Sequence, residues 1–155
     1  MKETTLCYIQ KDNKYLMLHR IKKAADINKD RWIGIGGRIE EGETPEQCIL
    51  REAKEETGLT LTSYRYRGIV RFRSDQYEPE DMHLYTADSY EGEIIECNEG
   101  VLKWIDRDEL YNLPIWEGDK LFLGLIRTDA DFFDLVLGYK ENKLVSASIN
   151  GNRIF

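Results

Sequence analysis

The sequence predicts an α/β or α+β sandwich built as one domain over residues 1–155. Three observations predict it. The chain holds 155 residues, the size of one ordinary domain with a core of its own. Many short apolar runs bounded by turn residues read as strands, against few helical patterns. One of those helical patterns carries an unusually complete set of start and stop signals.

Residues 4–10 and 14–20 read as two strands joined by the turn signal Lys11-Asp12-Asn13. Residues 21–31 are polar and read as a loop. Residues 32–39 are apolar and rich in glycine, which predicts a strand with close backbone approaches. Thr44-Pro45-Glu46-Gln47 is a capping box with proline at the first helical position, and Gly58 is a natural stop, so residues 45–57 are a helix. Strands follow near 63–73, 81–88 and 100–105. Asp106-Arg107-Asp108-Glu109 reads as a second capping box that opens a short helix near 107–111. Residues 117–127 form a further helix, and 132–139 with 143–149 form a closing hairpin around Lys140-Glu141-Asn142.

Composition removes several functions. Lys and Arg number 22 and Asp and Glu 29, a formal net charge of −7, and a surface that acidic repels a duplex nucleic acid. Small phosphorylated ligands remain open where cations offset the repulsion. Cysteines 7, 48 and 97 are an odd, widely spaced set without a Cys-x-x-Cys pair. They predict reduced thiols in a cytoplasmic protein, with neither a disulfide framework nor a structural zinc site. No apolar run is long enough to predict a membrane span or a signal peptide.

The 45–57 helix carries the chemistry. Ile49, Leu50, Ala53 and Thr57 fall on one side, and Glu52, Glu55 and Glu56 cluster on another at i, i+3 and i+4. Three such carboxylates repel one another, and Glu56 is read as exposed with its neighbours. An ordinary solvated face relieved by Arg51 and Lys54 has the same pattern. The context adds a glycine-rich strand end and the acidic loop 38–43. Carboxylates beside open backbone carbonyls suit a hard cation such as magnesium, which can bridge to phosphate oxygens. Other phosphate motifs fail: Ile39 stands where the dinucleotide fingerprint needs glycine, and Glu43 where a P-loop needs lysine. His19 and His83 are isolated.

Together these residues resemble the signature of the Nudix hydrolases, G-x5-E-x7-R-E-U-x-E-E-x-G-U with U a bulky aliphatic. The chain has Gly37, Glu43, Arg51, Glu52, Glu55, Glu56 and Gly58 at the fixed positions, and Leu59 at the last U. The departure is Ala53 at the first U, small but apolar and on the core side. The run Trp32-Ile33-Gly34-Ile35-Gly36-Gly37, the run 42–47 and Trp116-x-x-Asp119 extend the resemblance to the MutT/MutX branch.

The resemblance implies a Nudix α/β/α sandwich with a mixed central sheet. It implies a Mg²⁺-dependent pyrophosphohydrolase, with Mn²⁺ able to substitute, acting as monomer or homodimer on a nucleoside triphosphate. The implied substrate is an oxidised purine nucleotide, 8-oxo-dGTP, cut to the monophosphate and pyrophosphate. Other nucleoside diphosphate derivatives, an ordinary NTP, ADP-ribose or a capped RNA end, are the alternative. A non-enzymatic nucleotide-binding module is a third reading, against which all four box glutamates are retained. Glu55 and Glu56 would be the main metal ligands, helped by the Gly36 carbonyl. Glu52 would complete the shell or act as base, and Arg51 would orient Glu43. Glu99 matches a further ligand or base on a loop, or is a plain loop acid. Lys23, with Arg20 and Lys22 nearby, matches a basic residue on the phosphates, and Gly37 lies along the substrate. Trp116 would stack on the base, or be a core tryptophan at a helix start. Asp119 would face the purine edge, or cap its helix. A mammalian-type relative carries asparagine where Ile33 stands and aspartate where Gly118 stands, groups that some bacterial members also lack.

Overall fold

The computed structural model describes residues 1–23 and 26–155. β1 (Lys2–Lys11) and β2 (Lys14–His19) form a hairpin closed by Asp12 and Asn13, with φ of 49° and 67°. Two central residues with positive φ match the twist of a tight hairpin, and Asn and Asp tolerate that region. The same chemistry closes β7 (Phe133–Lys140) onto β8 (Lys143–Ile149), where Glu141 and Asn142 have φ of 51° and 65°. Asn150 and Gly151 repeat it before β9 (Asn152–Arg153), a two-residue strand that the sequence pattern did not show.

The sheet is mixed. Its order is β3-β2-β1-β5-β4-β7-β8-β9, with β3 (Trp32–Ile33) at one end and β4 (Thr60–Ser74) and β5 (Glu80–Glu91) central. β6 (Val101–Asp106) pairs with the outer edge of β2. The β1–β5 and β4–β7 pairs are parallel and the others antiparallel. The expected 32–39 strand is broken. Only β3 (Trp32–Ile33) pairs with β2, and the chain then bridges across to β1 at Ile35 and Arg38. This segment wedges between β1 and β2 where they part, which no continuous strand could do.

Alternate residues along each strand feed two cores. Tyr8, Tyr15, Met17 and Leu84 join Phe122, Leu123 and Ile126 of α2 (Glu117–Arg127). Cys7, Ile9, Leu16, Leu18 and Tyr85 join Ile49 and Ala53 of α1 (Pro45–Thr57). Because strand neighbours point to opposite faces, the two helices lie on opposite sides, an α/β/α sandwich. Ala53 faces the core as its position in the pattern required.

Thr44 Oγ1 accepts from the Gln47 amide at 3.1 Å, and Gln47 Oε1 accepts from the Thr44 amide at 2.9 Å. That box contributes about 1 kcal/mol to helix stability. Gly58 ends α1 at φ 81°. The second expected box does not form. Asp106 Oδ1 accepts from the Asp108 amide at 2.9 Å, a local turn, and a 3-10 turn follows over Glu109–Asn112 in place of the helix near 107–111. All three cysteines are free and buried. Among the described residues no helix is long and apolar enough to cross a membrane.

Candidate active site

The wedge 34–37 runs against α1, and two of its glycines lie where a side chain would meet neighbouring atoms. A Cβ on Gly36 would stand 1.9 Å from Thr5 O, and a Cβ on Gly37 would stand 2.5 Å from the Glu52 carboxyl carbon. The Gly36 amide donates to Glu56 Oε1 at 2.9 Å. Glu56 is only 7% exposed, which corrects its expected exposure. A helix wheel groups it with Glu52 and Glu55 but cannot show a neighbouring segment lying over it. Its Oε2 is buried with no hydrogen-bond partner among the described residues. Burial first, then the nearby Glu99 carboxyl, pushes the Glu56 carboxyl up to about 9, against the Gly36 amide.

Arg51 gathers the other box acids. Its Nε donates to Glu43 Oε2 at 2.7 Å and its Nη2 to Glu43 Oε1 at 2.9 Å, a bidentate pair. Nη1 donates to Glu52 Oε1 at 2.7 Å and to Glu55 Oε2 at 3.2 Å. The guanidinium holds the Glu43 carboxyl down to about 2. Burial raises the Glu52 carboxyl, and Arg51 opposes the rise. Glu55 is the most exposed of this group and is drawn back one turn onto Arg51. In this arrangement no three His, Cys, Asp or Glu side chains among the described residues converge on a single point.

Glu99 arrives from the loop before β6. Gly100 presses against β2, where a Cβ would stand 1.9 Å from His19 O, and so seats the loop. Arg20 Nη1 lies 3.3 Å from Glu99 Oε2 and Lys23 Nζ 3.4 Å from Oε1. Arg20 is itself fixed by Asp26 at 2.6 Å. Lys22 turns away, donating to Cys97 O at 2.6 Å.

One cleft of about 630 Å³ joins Glu52 and Glu99 to an aromatic end. Gly36, Gly37, Glu52, Glu99 and Lys23 line one part, and Ile33, Trp116, Asp119 and Tyr139 the other. Trp116 is a wall rather than an open platform. It is 8% exposed, its Nε1 donates to Asn28 Oδ1 at 2.7 Å, and the Arg31 guanidinium lies 3.8 Å from its ring centre. Asp119 is buried in the first turn of α2, and burial lifts its carboxyl to about 8 against the opposing charge of Arg31. A wider depression of about 850 Å³ over the far ends of β1, β4 and β5, lined by Lys11, Tyr64 and Arg65, holds none of the residues the motif singles out. Asn28, Arg31 and Tyr139 were not legible as site residues. They belong to no motif; the fold alone brings Asn28 and Tyr139 to the cleft and lays Arg31 over the Trp116 ring.

A family model described as the NUDIX domain matches residues 2–124. The chain is 36% identical over 118 residues to a Danio rerio protein named oxidized purine nucleoside triphosphate hydrolase, covering 76% of this chain and 73% of that one. It is 32% identical over 124 residues to the uncharacterized Nudix hydrolase YvcI of Bacillus subtilis, covering 77% and 75%. The crystal structure of a mutator MutT protein from Bacillus halodurans superimposes with a TM-score of 0.84 at 24% identity, covering 97% of this chain and 98% of that one. With the box's fixed positions all present from the wedge through α1 to its cap, and the family match running from β1 into α2, this chain belongs to the Nudix hydrolase family.

Proposed function

We propose that the protein, as a single Nudix domain over 1–155, is a Mg²⁺-dependent nucleoside triphosphate pyrophosphohydrolase of the cytoplasmic nucleotide pool. Its proposed substrate is an oxidised purine nucleotide: 8-oxo-dGTP and water give 8-oxo-dGMP and pyrophosphate. The observation that carries this reading is the continuity of one cleft from Glu52, Glu99 and Lys23 to Trp116 and Asp119, which sets charged groups suited to phosphates at one end and an aromatic wall suited to a base at the other. The name of the Danio rerio relative supports the same substrate class.

The acidic end fits a divalent cation. Its donors are oxygens, and the unpartnered Glu56 Oε2 is the kind of buried atom a cation would satisfy. Glu52, Glu55, Glu56 and Glu99, with the Gly36 carbonyl, would hold Mg²⁺ or Mn²⁺. When bound, such an ion offsets phosphate charge and lowers the pKa of water. Arg51 keeps Glu43 and Glu52 in place by direct hydrogen bonds. Glu52 or Glu99 takes the proton of the attacking water. Lys23, more than half exposed at the cleft, meets the phosphates along the Gly37 wall. Trp116 and Asp119 bound the base.

Ile33 and Gly118, which offer no side-chain hydrogen bond to a purine, favour a second reading: the same chemistry on another nucleoside diphosphate derivative. Hydrolysis with Mg²⁺ across 8-oxo-dGTP, dGTP, other NTPs, ADP-ribose and a capped RNA fragment separates the two. Preference for 8-oxo-dGTP with pyrophosphate released is the expected result. Turnover centred on ADP-ribose or the cap would replace the first reading with the second. A folded protein silent on every substrate would remove both.

A further inference from the structure

The first turn of α2 has no side-chain cap, because its N-cap residue is Trp116. The amide of Gly118, second in the helix, therefore has no acceptor within it. β7 supplies one: Gly118 N–H donates to Tyr139 Oη at 2.7 Å. A Cβ on residue 118 would stand 2.7 Å from that oxygen and 2.5 Å from Leu137 Cδ1. The hydroxyl thus occupies the space that any larger residue at 118 would need, and the missing side chain and the tyrosine form one arrangement.

Tyr139 is buried and lines the cleft beside Trp116 and Asp119. Its ring is fixed against Phe72 and Trp116, with centroids 5.2 Å away in each case. Its oxygen accepts from Gly118 and makes no other hydrogen bond among the described residues, so the hydroxyl hydrogen is left to donate. The geometry points to Tyr139 as the specificity-determining residue of the base end, its hydroxyl donating to the carbonyl of a 6-oxopurine and disfavouring the amino group of a 6-aminopurine. Asp119 does not make this choice. Burial favours its protonated form, and a protonated carboxyl both donates and accepts, so it suits either edge. A 6-oxopurine sets a carbonyl beside a ring N–H, which matches a donating Tyr139 beside an accepting Asp119.

This inference rests on the cleft being a nucleotide site, so its test separates binding from hydrolysis. Calorimetry measures dGMP and dAMP binding to the wild type and to Tyr139→Phe, with melting midpoints taken alongside. Steady-state kinetics compare dGTP with dATP. The wild type is expected to prefer the guanine nucleotides, and Tyr139→Phe to reduce that preference by about three- to tenfold, the worth of one hydrogen bond. The loss should lie in KM more than in kcat. Gly118→Ala, which displaces the hydroxyl while keeping it, should reduce the preference in the same direction. An unchanged preference in Tyr139→Phe overturns the assignment, as does a wild type that shows no preference or binds neither monophosphate. Selective dGMP binding without hydrolysis of any triphosphate would leave Tyr139 assigned and remove the proposed reaction. Hydrolysis of 8-oxo-dGTP with an unchanged preference would remove Tyr139 alone.

Discussion

The Gly36 amide donates to Glu56 Oε1 at 2.9 Å, while Oε2 of the same carboxyl is buried without a partner. The first oxygen ties the glycine wedge to α1, and the second is held away from water beside Glu99. A charge kept in such a place costs stability unless something compensates it. Glu56→Gln keeps an acceptor for Gly36 and removes the group that can ionise. In the presence of a chelator its melting midpoint should equal or exceed that of the wild type. Hydrolysis should fall at least about 100-fold, as when a group that stabilises reaction charge is lost. Near-normal turnover would sink the assignment of Glu56 to the reaction centre.

The two adjacent glycines should fail in different ways. At Gly36 an added Cβ meets the Thr5 backbone, and at Gly37 it meets the movable end of the Glu52 side chain. Gly36→Ala must therefore shift β1 or the wedge, and a clear loss of melting temperature is expected. Gly37→Ala should fold close to normally and lose activity by displacing Glu52. Equal stability losses in thermal melts of the two variants would contradict this division.

Local signals made part of this legible. The caps of α1 and the two turns closing β1–β2 and β7–β8 are each written within a few residues, and the structure reproduces them. The break after Ile33 was hidden, because an apolar run looks alike whether it pairs with one strand or crosses between two. The 106–109 box had the right residue types, but Asp106 spends its side chain on the Asp108 amide. The burial of Glu56 and the places of Asn28, Arg31 and Tyr139 depend on segments remote in sequence. No periodicity within α1 or β7 reports them.

The Arg51–Glu43 pair gives a pH signature. Glu43 is depressed from 4.5 to about 2, chiefly by its hydrogen bonds to Arg51. A depressed acid contributes stability that is present above the unfolded pKa and lost as pH falls through the folded one. The deficit in melting temperature of Glu43→Gln should be greatest above pH 5 and shrink between about pH 4.5 and 2. A deficit constant across that window would mean the pair adds no charge-dependent stability. Arg51→Lys keeps the charge but loses the fork, and should lower activity about 10- to 100-fold.

Trp116 sits in the same core as Phe72 and Tyr139, so its removal mixes folding with binding. Trp116→Ala should cost about 3–5 kcal/mol of stability. Trp116→Phe keeps an aromatic wall and is the more informative variant. It should raise KM for nucleotides more than it lowers kcat, because the proposed contact with a base would be equal in ground and transition states. A change confined to kcat would argue that Trp116 acts on the reacting end, through its bond to Asn28.

Asp119 provides the opposite sign to Glu43. Burial lifts its carboxyl from 3.8 to about 8, with Arg31 only partly opposing. A raised acid contributes stability that is complete below its unfolded pKa and is lost as pH rises through its folded one. The wild type should therefore lose stability relative to Asp119→Asn as pH increases from about 4 to 8, since asparagine never ionises. With about 2–4 °C expected per kcal/mol in a chain of this size, thermal melts at pH 5, 7 and 9 resolve the trend. The difference in midpoint, variant minus wild type, should become more positive up to about pH 8 and level off above it. If it stays flat, Asp119 is ionised throughout and Arg31 carries its charge. The base end would then present a fixed acceptor beside Tyr139, and a carboxyl able to donate would drop out of the account of base selection.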